Sequence, residues 1–271
     1  MSERPTVQPT DPDTTLIDTA EGPIAVAEEG PPGAAAVLCV HGIPGSARDF
    51  RYLAPPLATR MRVVRAEMPG FGGSPLGAVA SVAGWGRVLL AVAEAMRLDR
   101  VVLLGHSFGG GAVVQAARRG GRRVVAVVGL ASMGARRHAA FAMPPLAYRW
   151  IALGMRVPPV RPLLLPIMRH GYEKVGVQPP PAGEWRTAAR HLDLLGSVSF
   201  ADQARAAAEI SAPALLFQAA DDHVVQPAIA GDLAARLRDA RLVEFPDGGH
   251  HLIKTRPVEI AVEILGRFAS E

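Results

Sequence analysis

The stretch from Val101 to Val114 restricts the possible folds more than any other part of the chain. Val101-Val102-Leu103-Leu104 is an apolar, β-branched run that stops at Gly105, and a small-residue helical pattern starts after Ser107. Between them lies Gly105-His106-Ser107-Phe108-Gly109. A strand that passes into a helix over so few residues must turn sharply, and flanking glycines remove the Cβ atoms that would strike the strand or the helix start. The pentapeptide alone is thin evidence. With 28 glycines and 10 serines in 271 residues, random order yields it about 0.1 times. Its weight comes from the strand signal before it and the helix signal after it.

The rest of the chain repeats that alternation. Residues 1–14 are rich in Pro, Thr and Asp and are expected to form a disordered leader. Thr15–Glu29 is predicted as a hairpin turning at Gly22-Pro23, and Ala34–Val40 as a buried strand. A helix capped by Ser46 is expected to carry Phe50, Leu53 and Leu57 on one face. Strand Arg62–Ala66, helix Ser81–Met96, the Val101 strand, helix Phe108–Arg118 and strand Val124–Leu130 follow. Strands alternating with helices imply an α/β fold with a mostly parallel central sheet flanked by helices. The unbroken apolar runs at Val101–Leu104 and Val124–Leu130 suit strands buried on both faces.

Ser132–Glu209 then breaks the pattern, with helical fragments near 146–155, 163–172, 184–195 and 201–208 and no convincing core strand. Strand Ala214–Gln218, helix Ala228–Arg238, strand Arg241–Phe245 and helix Pro257–Ala269 restore it. The expected organisation is therefore a core of residues 15–131 and 210–271 with an inserted helical cap at 132–209, above the strand ends where such sheets bind ligands.

Bulk properties exclude several classes. Hydrophobic content is 49% and net charge is +4, which points to a globular core. Lys174 and Lys254 are the only lysines, so the basic balance is arginine. The densest basic run, Arg118-Arg119-Gly120-Gly121-Arg122-Arg123, fits a solvated helix C-terminus, and no aromatic-interleaved basic surface argues for nucleic acid. Cys39, the only cysteine, falls in an apolar strand and reads as an inert buried thiol. No apolar stretch is long enough for a membrane span and no signal peptide is evident, so a cytoplasmic monomer or homodimer is expected.

Acyl transfer by serine needs a hydroxyl, a base to take its proton, an acid to hold the imidazole, and donors for the oxyanion. Ser107 is the candidate hydroxyl. The loop Asp247-Gly248-Gly249-His250-His251-Leu252 follows the last strand and offers His250 or His251 as base. Asp221 and Asp222 follow the strand at Leu215 and offer the acid, in the chain order Ser, Asp, His. The same acids and histidines, with His223, could be read as a metal site. No ligand spacing supports that reading, and neither metal nor cofactor is expected.

The chain resembles the α/β-hydrolase superfamily, of the lidded serine type that includes esterases, carbon–carbon hydrolases, lactonases and cofactor-free haloperoxidases. The motifs that carry the resemblance are His41-Gly42-Ile43-Pro44-Gly45, Pro69-Gly70-Phe71-Gly72-Gly73-Ser74, Gly105-His106-Ser107-Phe108-Gly109, Asp222-His223-Val224-Val225 and Gly249-His250. The resemblance implies Ser107, Asp222 and His250 as the triad, with the backbone N–H groups of Ile43 and Phe108 as the oxyanion hole. Family spacing selects Asp222 over Asp221, although Ala219 and Gln226 replace the usual glycine and proline. Pro257, seven residues on, selects His250 over His251. Serine as nucleophile sets the chain apart from similar dehalogenases and epoxide hydrolases, which use aspartate.

His41 reads as structural, bonding within the oxyanion loop, and Glu67 as a structural substitute for a common aspartate. His106, His251, Met143, Trp150, Met155, Met168 and Trp185 are the candidates for substrate contacts. The expected substrate is a small molecule of medium size, a largely apolar ester, lactone or related acyl compound. Perhydrolysis, haloperoxidation, acyl transfer to another acceptor, or reception of a small molecule with little turnover are the competing readings.

Overall fold

A computed structural model describes residues 7–174 and 184–270. Its eight strands are β1 (Thr15–Thr19), β2 (Gly22–Glu29), β3 (Ala36–Val40), β4 (Arg62–Ala66), β5 (Val101–His106), β6 (Val124–Leu130), β7 (Ala214–Ala219) and β8 (Ala240–Phe245). They form one sheet in the order β1-β2-β4-β3-β5-β6-β7-β8. β1 and β2 pair antiparallel, as do β2 and β4, and every later pair is parallel. The expected α/β sheet is present.

Strand alternation divides the core. Val37 and Cys39 face one layer with Val102, Leu104, Ala126 and Val128, covered by helices α1 (Ala54–Ala58) and α10 (Pro257–Phe268). Leu38 and Val40 face the other with Val101 and Leu103, covered by α2 (Val82–Ala95) and α3 (Phe108–Gly120). Each side chain points opposite to its neighbour, so one apolar strand feeds two cores. Burial of Cys39 pushes its thiol up to about 12, which removes the thiolate and its reactivity.

Two local expectations are corrected. The first hairpin turns at Ala20-Glu21, because Thr19 pairs with Gly22 and Pro23 lies inside β2. The helix after Ser46 is a single 3₁₀ turn, Ala47–Phe50, capped by the Ser46 hydroxyl on the Arg48 N–H; α1 then starts anew with Pro55 and Pro56 in its first turn. Proline is compatible with a helix start and not its interior. Within the expected leader, residues 7–14 carry no helix or strand, yet the Thr10 N–H donates to the Arg51 carbonyl at 2.9 Å and Asp11 pairs with Arg48 at 2.8 Å. Residues 1–6 lie outside the described residues.

Between β6 and β7 come α4 (Pro145–Met155), α5 (Arg161–Lys174), α6 (Trp185–Gly196) and α7 (Phe200–Glu209); α8 (Pro227–Arg236) and α9 (Leu252–Thr255) follow. The inserted segment joins the core through polar bonds as well as apolar packing. Arg190 on α6 donates to the carbonyls of Leu76, Gly77 and Val79 at 3.0, 2.7 and 2.8 Å. Asp202 on α7 accepts from Gln115 at 2.9 Å and Arg118 at 3.3 Å. No helix among the described residues is long and apolar enough to cross a membrane.

Candidate active site

Ser107 stands between β5 and α3 with φ of +52° and ψ of −120°. Side chains with a Cβ rarely occupy that region, and a residue held there costs roughly 1–3 kcal/mol. The turn is held by its backbone: the Ser107 N–H donates to the Leu130 carbonyl at 3.0 Å, and its own carbonyl accepts from Gly110 and Met133. The glycines are sterically required. A Cβ on Gly105 would come within 2.6 Å of the Gly109 backbone, and one on Gly109 within 2.5 Å of the His41 carbonyl. The turn therefore lies against the start of α3 and against the end of β3.

His250 reaches that hydroxyl, with Nε2 2.9 Å from Ser107 Oγ and Nδ1 2.9 Å from Asp222 Oδ2. An ionised carboxylate can only accept, so Nδ1 carries the proton and Nε2 keeps its lone pair for the serine O–H. Asp222 is buried, and its Oδ1 accepts from the N–H groups of Val224 and Val225 at 2.8 and 2.9 Å. Gln218 adds a bond to Oδ2 at 3.2 Å. Burial works to raise this carboxyl's pKa, and the His250 bond with the two backbone donors outweighs it, so the carboxyl is held below its ordinary range.

Asp221 occupies a different place. It is exposed, and its two oxygens accept from the N–H groups of Gly249 and Gly248 at 2.8 and 3.3 Å. It thus grips the backbone of the loop that presents His250. Both glycines have positive φ, +139° at Gly248 and +63° at Gly249, which is what leaves their N–H groups facing one carboxylate. Thr255 donates to the Gly248 carbonyl at 2.8 Å and Arg256 pairs with Asp247 at 2.7 Å, closing the loop from its other side.

The loop after β3 borders the serine: a Cβ on Gly42 would lie 3.0 Å from Ser107 Cβ. His41, the loop's first residue, accepts the Met68 N–H at Nε2 and donates from Nδ1 to the Gly42 carbonyl, and burial holds its pKa near 4. Phe108 opens α3, so its N–H has no intrahelical acceptor, and no described residue accepts the N–H of Ile43. Glu67 accepts from Ala47 and Gly73 and braces the neighbouring loop.

The remaining sequence candidates separate. His106 is buried directly beneath the site, with Nε2 bonded to the His250 carbonyl at 2.9 Å and burial lowering its pKa to about 3. His251 is exposed, its ring 5.6 Å from that of His250. Met155 and Met168 are buried in the large cluster and Met143 packs against it. Trp185 is half-buried beneath the Arg161 guanidinium, 3.9 Å away. Trp150 is 64% exposed on the outside of α4, away from the pocket position expected of it, because the face of α4 that packs inward is the one carrying Tyr148, Ala152 and Met155.

A cavity of about 280 Å³ lies beside the loop after β3, between Pro44 and Gly45, the Gly70–Gly72 turn, and Glu184, Thr187 and His191 of the inserted segment. The sequence reading missed His191 entirely. Its ring stacks on Phe71 at 5.1 Å, its Nδ1 faces the Tyr172 hydroxyl, and burial lowers its pKa to about 3. Among the described residues no three His, Cys, Asp or Glu side chains converge as metal ligands would.

Comparison with known proteins agrees with this architecture. An esterase from Exiguobacterium antarcticum has a similar fold, with a TM-score of 0.71 at 18% identity over 93% of this chain and 98% of that one. In sequence the chain is similar to 2-hydroxy-6-oxo-2,4-heptadienoate hydrolase of Pseudomonas putida, 36% identical over 103 residues, 36% of this chain and 37% of that protein. It is similar also to the uncharacterized hydrolase YugF of Bacillus subtilis (strain 168), 30% identical over 105 residues, 38% of each. Each of these two matches thus covers less than two-fifths of the relative's length. The sequence model described as "Alpha/beta hydrolase family" matches residues 37–263, which runs from β3 into α10 and includes every group described above, and the chain belongs to that family.

Proposed function

We propose that the protein is a serine hydrolase that cleaves a small, largely apolar carboxylic ester or lactone through an acyl-enzyme. The observation that carries this reading is the continuous pair of 2.9 Å contacts, Ser107 Oγ to His250 Nε2 and His250 Nδ1 to Asp222 Oδ2. His250 takes the hydroxyl proton as Oγ attacks the acyl carbon, and the resulting imidazolium faces the Asp222 carboxylate. The tetrahedral oxygen is stabilised by the N–H groups of Ile43 and Phe108, neither with an acceptor among the described residues; one such donor is worth roughly 3–4 kcal/mol in the transition state. His250 then protonates the leaving alcohol, and a water activated by the same ring releases the acid. Residues 132–209 act as a cap over the strand ends, and their Leu, Met and Pro content favours an acyl group without charge.

The test is hydrolysis of p-nitrophenyl butyrate by the wild type and by Ser107→Ala. Loss of turnover by about 10⁴-fold or more is expected, with the melting temperature kept. Undiminished turnover by the variant overturns the assignment.

A further inference from the structure

Of the ten large apolar side chains that stand exposed among the described residues, seven lie between Leu146 and Ile167. Chance does not place them there. On α4, Leu146, Trp150 and Leu153, with Val157 just beyond, recur at intervals of four, three and four residues, which is one helical face. The opposite face, with Tyr148, Ala152 and Met155, is buried against the rest of the protein. α4 is therefore apolar on both sides and partnered on one. The stripe continues through Val160 into Leu163 and Ile167 of α5, which are 72% and 53% exposed. A monomer in water rarely keeps so continuous an apolar surface without a use for it.

The charges around the stripe have one sign. Residues 144–174 contain Arg149, Arg156, Arg161, Arg169 and Lys174 against the single acid Glu173. Arg156 is paired with Asp193, and Arg161 donates to the Met155 carbonyl while covering Trp185. Arg149 and Arg169 are exposed and have no carboxylate partner among the described residues. An apolar stripe bearing a tryptophan and edged by unpaired arginines is complementary to one kind of surface: acyl chains below a layer of phosphate groups. A second copy of the chain suits it less, since a two-fold contact would set two arginine-rich faces together with one acid on each.

We propose that the α4–α5 hairpin docks the protein on an anionic lipid bilayer, with Trp150, Leu153 and Leu163 entering the headgroup boundary and Arg149 and Arg169 on lipid phosphates. The inference does not depend on the reaction at Ser107. It concerns attachment to one leaflet and involves no crossing of the bilayer.

The experiment is sedimentation of the full-length protein with vesicles of phosphatidylcholine alone and of equal parts phosphatidylcholine and phosphatidylglycerol. Binding to the mixed vesicles is expected to exceed binding to phosphatidylcholine by about tenfold or more, and to weaken as salt is raised. Tryptophan emission should shift to the blue on binding, and Trp150→Phe should abolish the shift, since Trp85 is already buried and Trp185 is half-buried beneath Arg161. Leu153→Asp with Leu163→Asp, and separately Arg149→Glu with Arg169→Glu, should each lower binding about tenfold while the melting temperature and turnover of a soluble ester stay unchanged. No sedimentation with the mixed vesicles, or sedimentation of both double variants equal to that of the wild type, overturns the proposal. So does a dimer in light scattering that Leu153→Asp with Leu163→Asp converts to monomer, which would make a second copy the occupant.

Discussion

Helices α10 and α4 are of nearly equal length and resolve the same problem differently. α10 buries Pro257, Ile260, Ala261, Ile264 and Phe268 against the sheet and shows solvent one large apolar side chain, Val262. α4 buries Tyr148, Ala152 and Met155 and shows solvent Leu146, Trp150 and Leu153. The first is a half-buried amphipathic helix whose outer face is mostly polar. The second has an inward face that packs and an outward face that water alone does not account for. The sheet and its helices thus settle stability and catalytic geometry, while the inserted segment carries apolar surface that stability does not require.

If that division is right, the largest effects on turnover belong to the core. Asp222→Asn should lower kcat by about 10⁴-fold, because Asn cannot hold the Nδ1–H tautomer of His250. Asp221→Asn leaves the tautomer alone and loosens only the loop backbone, so a loss of about tenfold, with the pH profile of kcat unchanged in shape, is expected. Equal losses in the two variants, read from steady-state kinetics on one ester, would erase the distinction between them.

The next effect is on stability. Ile264→Ala on α10 removes fully buried methyl groups and should cost about 2–5 kcal/mol in denaturant unfolding. Leu153→Ala on α4 should stay within about 0.5 kcal/mol of the wild type. A large loss from Leu153→Ala would mean that its face is packed in solution, and the contrast between the two helices would fail.

Protons probe both halves at once. His41 and His106 belong to the core, His138 and His191 to the inserted segment, and burial lowers all four to between about 3 and 4. The unfolded chain takes up these protons below its ordinary histidine value near 6.5, and the folded chain does not. Stability is therefore complete above about pH 6.5 and is lost as pH falls toward 4, by about 1.4 kcal/mol per pH unit for each imidazole once the unfolded form is protonated. Melting curves between pH 7 and 4.5 check this, and His191→Phe should flatten the slope by one proton. A two-step melt at low pH would show the two halves parting company.

A last effect concerns the join between them. Arg190→Met removes three hydrogen bonds to the carbonyls of Leu76, Gly77 and Val79 and should lower stability by about 1–3 kcal/mol. Loss of turnover without loss of stability would assign Arg190 to the chemistry and not to the join.

Much of this was legible in the residues, for identifiable reasons. The parallel sheet follows from apolar runs separated by helical patterns, and the serine turn from Gly105 and Gly109, where close backbone approach leaves no room for a Cβ. Other features were not legible, because their partners are distant in sequence. Asp221 works on N–H groups 27 and 28 residues later, and no spacing rule marks such a bond. His191 meets Phe71 across 120 positions. The first hairpin slipped because Gly-Pro signals a turn equally well just before a strand or within the loop. In sequence, the apolar 144–168 stretch reads equally as a cap lining its pocket or as an interfacial helix with Arg149, Arg156 and Arg161 at its edge, and only exposure separates Trp150 from Met155.

The serine turn carries a consequence for laboratory evolution. At φ of +52°, glycine would relieve the strain that a side chain incurs, so selection of variants for heat resistance alone should draw position 107 to glycine. The same change deletes the hydroxyl that His250 faces. A library enriched for glycine at 107 under thermal selection, and purged of it once ester turnover is also required, would make the conflict between durability and reactivity countable in sequence reads.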